Sequence, residues 1–210
     1  MLLARRAERE RVRGFLNWAM ASRRIPCLTV AIVPPRQREP ITQHQRLDLL
    51  RRLALDDTIR LSTRVIGFLV LLYAQPLSRI RTLTLDDITI ESSGEVHIGL
   101  GSPPSPVPQP FADVLLHLSQ HRDHPNTATN AQQRWLFPGR NAGQPIHCIA
   151  LRKKLASIGI PRSTRVAALR QLVLQVPAAV VATALGFHYK TTERQNRSAS
   201  GVWNRYATSP

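Results

Sequence analysis

Residues Val65–Tyr73 (VIGFLVLLY) are almost continuously apolar, in a chain whose formal net charge is +16. Such a run cannot lie on a charged surface, so the fold has to be built around it. Within "TIRLSTRVIGFLVLLYAQP" its length predicts a central buried helix, ended by Pro76. With 210 residues, 43% of them hydrophobic, the chain can bury one good core and part of a second. That predicts one main domain with an appendage.

The appendage is expected in residues 1–33. Val12, Phe15, Leu16, Trp18 and Ala19, between Glu8 and Ala21, have the spacing of one amphipathic helix, which is too little for a domain. A polar linker bracketed by prolines, 34–41, opens with PPRQREP. The main domain is then 42–210. Thr42 suits the N-cap of a helix carrying Leu47, Leu49, Leu50 and Leu53, and Asp56-Asp57-Thr58 resets the chain. After the central helix the period changes. Leu83, Leu85, Ile88 and Ile90, then Val96 and Ile98, alternate around Ser92-Ser93-Gly94, the pattern of a β-hairpin. Residues 101–110 (GSPPSPVPQP) hold five prolines in ten positions and are expected as loop or edge strand.

Helical spacing returns at Phe111–His121, a polar loop follows at His124–Gln133, and a basic helix is expected around "ALRKKLASIGI". Ser163 or Thr164 can cap the helix holding Arg170, Pro177 suits the first turn of the next, and Gly186 suits its C-terminal stop. There is no internal repeat. The expected class is α+β, mostly α, a helical body with a small antiparallel sheet.

The excess of 29 basic over 13 acidic residues attracts polyanions, of which nucleic acid is the commonest. Only three of the basic residues are lysine, leaving 26 arginines, a skew that coding bias in a GC-rich genome also produces. No apolar run reaches the roughly 18 to 20 residues that span a bilayer, and "MLLARRAERERVRG" lacks the apolar centre of a secretory signal. Cys27 and Cys148 stand 121 positions apart, neither in a CxxC or CxxH pair, which predicts neither a disulfide framework nor a zinc site. A cytoplasmic chain is expected, associated with the nucleoid if bacterial.

Three stretches stand in order: "LSRIRTLTLDDI", "WLFPGRNAGQPIHCIALRKKLASIGI" and "AALRQLVLQVPAAVVATALGFHYKTT". Together they resemble the catalytic domain of the tyrosine recombinases, the phage-integrase family of DNA recombination and integration enzymes found on mobile elements. The first is similar to the family's L-R-I-S-E-L and L-x-x-D-I segments through Arg79-Ile80-x-x-Leu83 and Asp87-Ile88. The second is similar to its L-F-P, small-residue turn and helix. The third is similar to H-x-L-R, a helix pair, L-G-H and T-T, except for the first histidine. The resemblance runs from about Thr42 to the C-terminus.

It implies strand transfer on double-stranded DNA without metal or cofactor, by a homo-oligomer assembled on the DNA. A tyrosine hydroxyl attacks a phosphodiester, giving a phosphotyrosine and a free 5′-hydroxyl. Charge developing on the phosphoryl oxygens then needs preorganised cations, and the forked donors of arginine suit that role. By resemblance these are Arg79 and Arg170. His188, displaced one place by Phe187, would bond a phosphate oxygen or assist proton transfer. Tyr206 in "GVWNRYATSP" would be the nucleophile, 18 residues after His188, about twice the family's gap. Tyr189 sits in the turn and Tyr73 in the buried helix.

Each residue also has an ordinary reading. Arg170 can be a surface arginine paired with an acid, His188 a turn residue capping the preceding helix, and Trp203 with Tyr206 a helix face packed on the core. Arg152, Lys153, Lys154, Arg162 and Arg165 make either a phosphate-gripping face or a solvated helix surface.

Two departures bear on chemistry. Ala167 stands where the family has histidine before the second arginine, and residues 91–110 contain no lysine where the family carries one as general acid. Lys153, Lys154 and Lys190 lie elsewhere. A missing general acid costs about 10²- to 10⁴-fold in rate and a lost oxyanion donor about 10²- to 10³-fold. Thr82, in place of the family's glutamate, reads as structural. Only the last helix or so of the family's N-terminal DNA clamp is expected, in residues 1–30. Three functions are therefore in competition: an integrase-type strand transferase, a relative that binds DNA or protein without chemistry, and a basic helical adaptor of RNA. Aromatic residues, at 5%, offer the last no base-stacking platform.

Overall fold

In the computed structural model, residues 2–26, 28, 41–122, 134–141 and 143–206 are described, the side chains of 2–11 and 200–206 excepted. Cys27, linker residues 34–40 and the polar loop 124–133 lie outside them. The chain divides into two units, Met1–Arg38 and Glu39–Pro210.

The first unit is built on α1 (Leu2–Ala21). Near its C-terminal end the Phe15 and Trp18 rings lie 5.9 Å apart, and the Arg24 guanidinium stands 5.4 Å over the Trp18 ring, a cation–π contact.

The second unit wraps around the apolar run. Helix α3 (Leu61–Leu71) is buried at every position from Ser62 to Leu71. Phe111, at the start of α5 (Phe111–Gln120), stacks on Phe68 at 4.8 Å between centroids. Helix α2 (Gln43–Leu55) begins as expected: Thr42 closes a capping box with Gln45, satisfying two otherwise orphaned donors.

Pro76 does not end α3. The helix is already closed at Ala74, which takes a left-handed φ of 53°, while the Gln75 N–H reaches back to the Leu69 carbonyl at 3.1 Å. Its carbonyl end is sealed from another helix: the Arg46 Nε donates to the Leu71 carbonyl at 2.8 Å. Proline instead opens the short α4 (Leu77–Ile80), for which it is the N-cap.

The sheet is antiparallel and three-stranded, in the order β1 (Ile88–Ile90), β2 (Val96–Ile98), β3 (Ser105–Pro106). Gly94, at φ 87°, supplies the hairpin turn, as a left-handed position requires. The first strand is shorter than its alternation predicts. Residues Leu85–Asp87 form a 3₁₀ turn because the Asp87 carboxylate accepts both the N–H and the hydroxyl of Thr84, at 2.7 and 2.9 Å. Local side-chain bonding outcompetes the ladder there. The proline-rich segment enters the sheet as β3, an edge strand.

Four helices complete the unit: α6 (Cys148–Ser157), α7 (Thr164–Gln175), α8 (Ala178–Leu185) and α9 (Tyr189–Tyr206). The architecture is helical with a small antiparallel sheet. No helix among the described residues is long and apolar enough to cross a membrane.

Candidate functional site

Helix α8 ends in Gly186, left-handed at φ 65°, and the Phe187 N–H bonds the Ala182 carbonyl at 2.8 Å. This is a Schellman stop, and only glycine takes it without strain. The remaining carbonyls of the last turn are claimed by three residues of two distant segments. Thr183 accepts from the Ser102 N–H at 3.1 Å, Ala184 from the Ser105 hydroxyl at 3.0 Å, and Leu185 from the Gln75 Nε2 at 3.0 Å. Gln75 is fully buried, so that bond forms in a low dielectric and is correspondingly strong. The loop after β2, the end of α3 and the α8–α9 turn are thereby locked together.

Arg79 lies in this junction. A Cβ placed on Gly186 would be 2.9 Å from its Nη1 and 3.1 Å from its Cζ, so the guanidinium rests on the bare glycine backbone. The negative end of the α8 dipole favours a cation there. No carboxylate pairs with Arg79 among the described residues.

His188, two positions after Gly186, is exposed. Its Nδ1 accepts the Lys190 N–H at 3.2 Å. It therefore caps α9, which follows it, and α8 is left to Gly186. With Nδ1 accepting, the neutral ring carries its proton on Nε2, available to an anion in front of the turn. His188→Asn should keep the cap and melt within a few tenths of a kcal/mol of wild type, whereas His188→Ala should lose about 1 kcal/mol. Thermal unfolding separates the two, and both lose the Nε2 donor.

Arg170, on α7, is half-buried, and its Nε donates to the Gln195 Oε1 at 3.1 Å. Its partner is a neutral amide on α9, two helical turns or about 10 Å beyond His188. An acid-paired surface arginine is not what the structure shows. Its neighbour Gln171 accepts from the Arg46 Nη1 at 2.6 Å. Arg79 and Arg170 thus both contact the α8–α9 segment, one at the turn and one along α9.

Ala167 is 5% exposed, its methyl packed where the family pattern has a donor. The loop after β2, which has no lysine, lies against the turn all the same, since the Leu100 carbonyl and Gly101 abut Gly186 and the end of α8. Tyr206 is the last residue of α9, and its side chain, with that of Trp203, lies outside the described residues.

The basic residues differ in exposure and partners. Arg162 is exposed beside the start of α7, and Arg165, in its first turn, is half-buried; burial holds that guanidinium below its ordinary pKa. Neither Ser163 nor Thr164 caps α7 with its side chain: Ser163 is itself in a helical conformation, and Thr164 is fully buried with no partner for its hydroxyl among the described residues. Arg152 and Lys153 are exposed on α6. The Lys154 Nζ donates to the Ser62 hydroxyl at 2.7 Å, at the start of α3, so Lys153 and Lys154 lie at the end of that helix away from Arg79.

Gln75, Gly101, Ser105 and Gln195 hold the junction together, and nothing in their local sequence marks them; each acts on a partner at least 25 positions away. No known protein-family model and no curated protein matches the chain.

Proposed function

We propose that this chain is an integrase-type DNA-binding protein in which Arg79, Arg170 and His188 hold one backbone phosphate and Tyr206 is the nucleophile of strand transfer. The supporting observation is the Arg79 guanidinium. It lies on Gly186 in the turn that carries His188, with no carboxylate partner among the described residues, as an arginine reserved for an external anion requires.

In this reading the phenolic oxygen of Tyr206, from the same chain or from a neighbouring copy on the DNA, bonds to phosphorus as the bond to the 5′-oxygen breaks. The phenol gives up one proton and the departing oxygen takes one, so the step is neutral and reversible. The arginines and the Nε2–H of His188 balance the charge on the non-bridging oxygens. Arg162 and Arg165, at the start of α7, contact flanking phosphates.

A second reading, DNA binding without chemistry, is favoured by the buried methyl of Ala167 and by the lysine-free segment 91–110. A nicked suicide duplex decides between them. Strand transfer predicts a covalent adduct that Tyr206→Phe abolishes while leaving affinity unchanged. Salt-dependent affinity with no adduct leaves binding alone. Arg79→Ala should weaken duplex binding about tenfold; unchanged affinity would remove Arg79 from the interface and the integrase reading with it.

A further inference from the structure

A basic concavity lies at the start of α3. It is a pocket of about 460 Å³ between the start of α3 and the end of α6, with Thr58, Arg60, Thr63, Lys153, Lys154 and Ser157 among its walls. Three of its lining residues are cations and none is an acid. The acids nearest in sequence already have partners, one of them the wall residue Thr58. Asp56 accepts the N–H and hydroxyl of Thr58 and lies 3.5 Å from Arg52; the Thr58 hydroxyl holds its carboxyl below the ordinary value. Asp57 pairs with Arg64.

Arg60 and Lys153 are exposed. The ammonium of Lys154 is held against the pocket wall by its bond to the Ser62 hydroxyl. Arg60 is also the N-cap of α3 and makes no side-chain cap bond, so the positive end of that helix adds to the field of the cations. The volume equals roughly fifteen water molecules, which suits several linked phosphates better than one small anion. Along α3, 11 residues long, the pocket stands roughly 16 Å from the Arg79 junction.

We propose that this pocket is a second phosphate-binding site, independent of the Arg79 junction, that takes a run of consecutive phosphates from a DNA backbone or from a free polyphosphate chain. It stands whether or not the chain cuts DNA.

The test uses the full chain, inorganic tripolyphosphate and a short duplex, each titrated by calorimetry at two salt concentrations. The variants are Arg60→Gln/Lys153→Gln, charge-reversed Lys153→Glu, and Arg79→Ala as control. Both pocket side chains are exposed, and circular dichroism confirms that the variants fold. Tripolyphosphate should keep its pocket-dependent binding in Arg79→Ala, which removes only a junction contact, and should bind the double variant at least tenfold more weakly than Arg79→Ala, with Lys153→Glu also weakened. If the double variant also loses duplex affinity, and its salt slope falls by about two, the phosphates are those of DNA. If duplex binding is unchanged, they belong to a free polyphosphate. Tripolyphosphate that binds the double variant as tightly as wild type, fails to bind wild type, or is lost in Arg79→Ala overturns the proposal.

Discussion

Gly101→Ala should lower folding stability by about 3 kcal/mol or more. A Cβ at this position would overlap the Thr183 carbonyl oxygen and come 2.5 Å from the carbonyl carbon of Ala184. Those neighbours are backbone, in a helix end held by bonds from Ser102, Ser105, Gln75 and Phe187, so they cannot swing aside as a side chain would. Relief requires the loop after β2 to lift away, breaking the bonds of Ser102 and Ser105 to the end of α8. Each such bond contributes about 0.5–1.5 kcal/mol, and overpacking adds about 1–3 kcal/mol.

Gly99→Ala, two positions earlier, makes the informative comparison. Its Cβ would meet the Asp87 carboxylate oxygen at 3.3 Å and no other atom closer than 3.5 Å, a contact that a few tenths of an ångström relieve, and the expected cost is under about 1 kcal/mol. Urea unfolding of the two variants measures the difference. A Gly101→Ala midpoint equal to that of Gly99→Ala would mean that the loop is not pinned to α8. Because the same junction seats Arg79 on Gly186, the proposed DNA contact of Arg79 further requires Gly101→Ala to weaken duplex binding, an effect Gly99→Ala should lack.

Arg64→Leu should cost about 3 kcal/mol, by leaving carbonyls unsatisfied rather than by losing a charge pair. Arg64 is 7% exposed. Its Nε donates to the Leu53 carbonyl and its Nη2 to the Ala54 carbonyl, both at 2.7 Å. These are last-turn acceptors of α2, which has no intrahelical donor left to offer them. The third donor, Nη1, meets Asp57, whose side chain is 90% exposed, and such a pair contributes little in water. Asp57→Asn should therefore shift stability by under about 1 kcal/mol, while Arg64→Lys, a single ammonium in place of a fork, should recover only part of the loss. Urea midpoints of the three variants rank the contributions. A loss in Asp57→Asn equal to that in Arg64→Leu would show that the ion pair, not the helix end, is what Arg64 serves.

Arg64 also qualifies the charge argument. Together with Arg46, 8% exposed, it accounts for two of the 29 basic residues as caps on the carbonyl ends of α2 and α3. Burial holds the Arg46 guanidinium below its ordinary pKa. A count of basic residues cannot separate such interior arginines from those facing a polyanion, because both have the same side chain and differ only in what surrounds it.

Much of the secondary structure was legible. Thr42, Gly94 and Gly186 act at the positions their chemistry suggests, since a capping hydroxyl or a left-handed turn is a local requirement. The misread features are those settled by a partner. Pro76 looked like the terminator of α3, yet the Gln75 N–H finds the Leu69 carbonyl first. Leu83 and Leu85 alternate like a strand, yet Asp87 folds back on Thr84. Of the candidate site, Arg79, Arg170 and His188 were picked out by their resemblance to a motif. Lys153 and Lys154 line a pocket at the start of α3, a setting that only the fold gives them.

The amino-acid order alone determined that Val65–Tyr73 would be interior, that a hairpin would turn at Gly94 and that a helix would stop at Gly186. Each follows from hydrophobicity or from a backbone angle open to few residues, and neither depends on distant chain. Only the tertiary structure decided which arginines seal helix ends and which is left against a bare glycine. That choice depends on carbonyls 10 to 25 positions from the arginines that seal them and on pairings as distant as Gln75 with Leu185, and such pairings exist only once the chain has closed around α3.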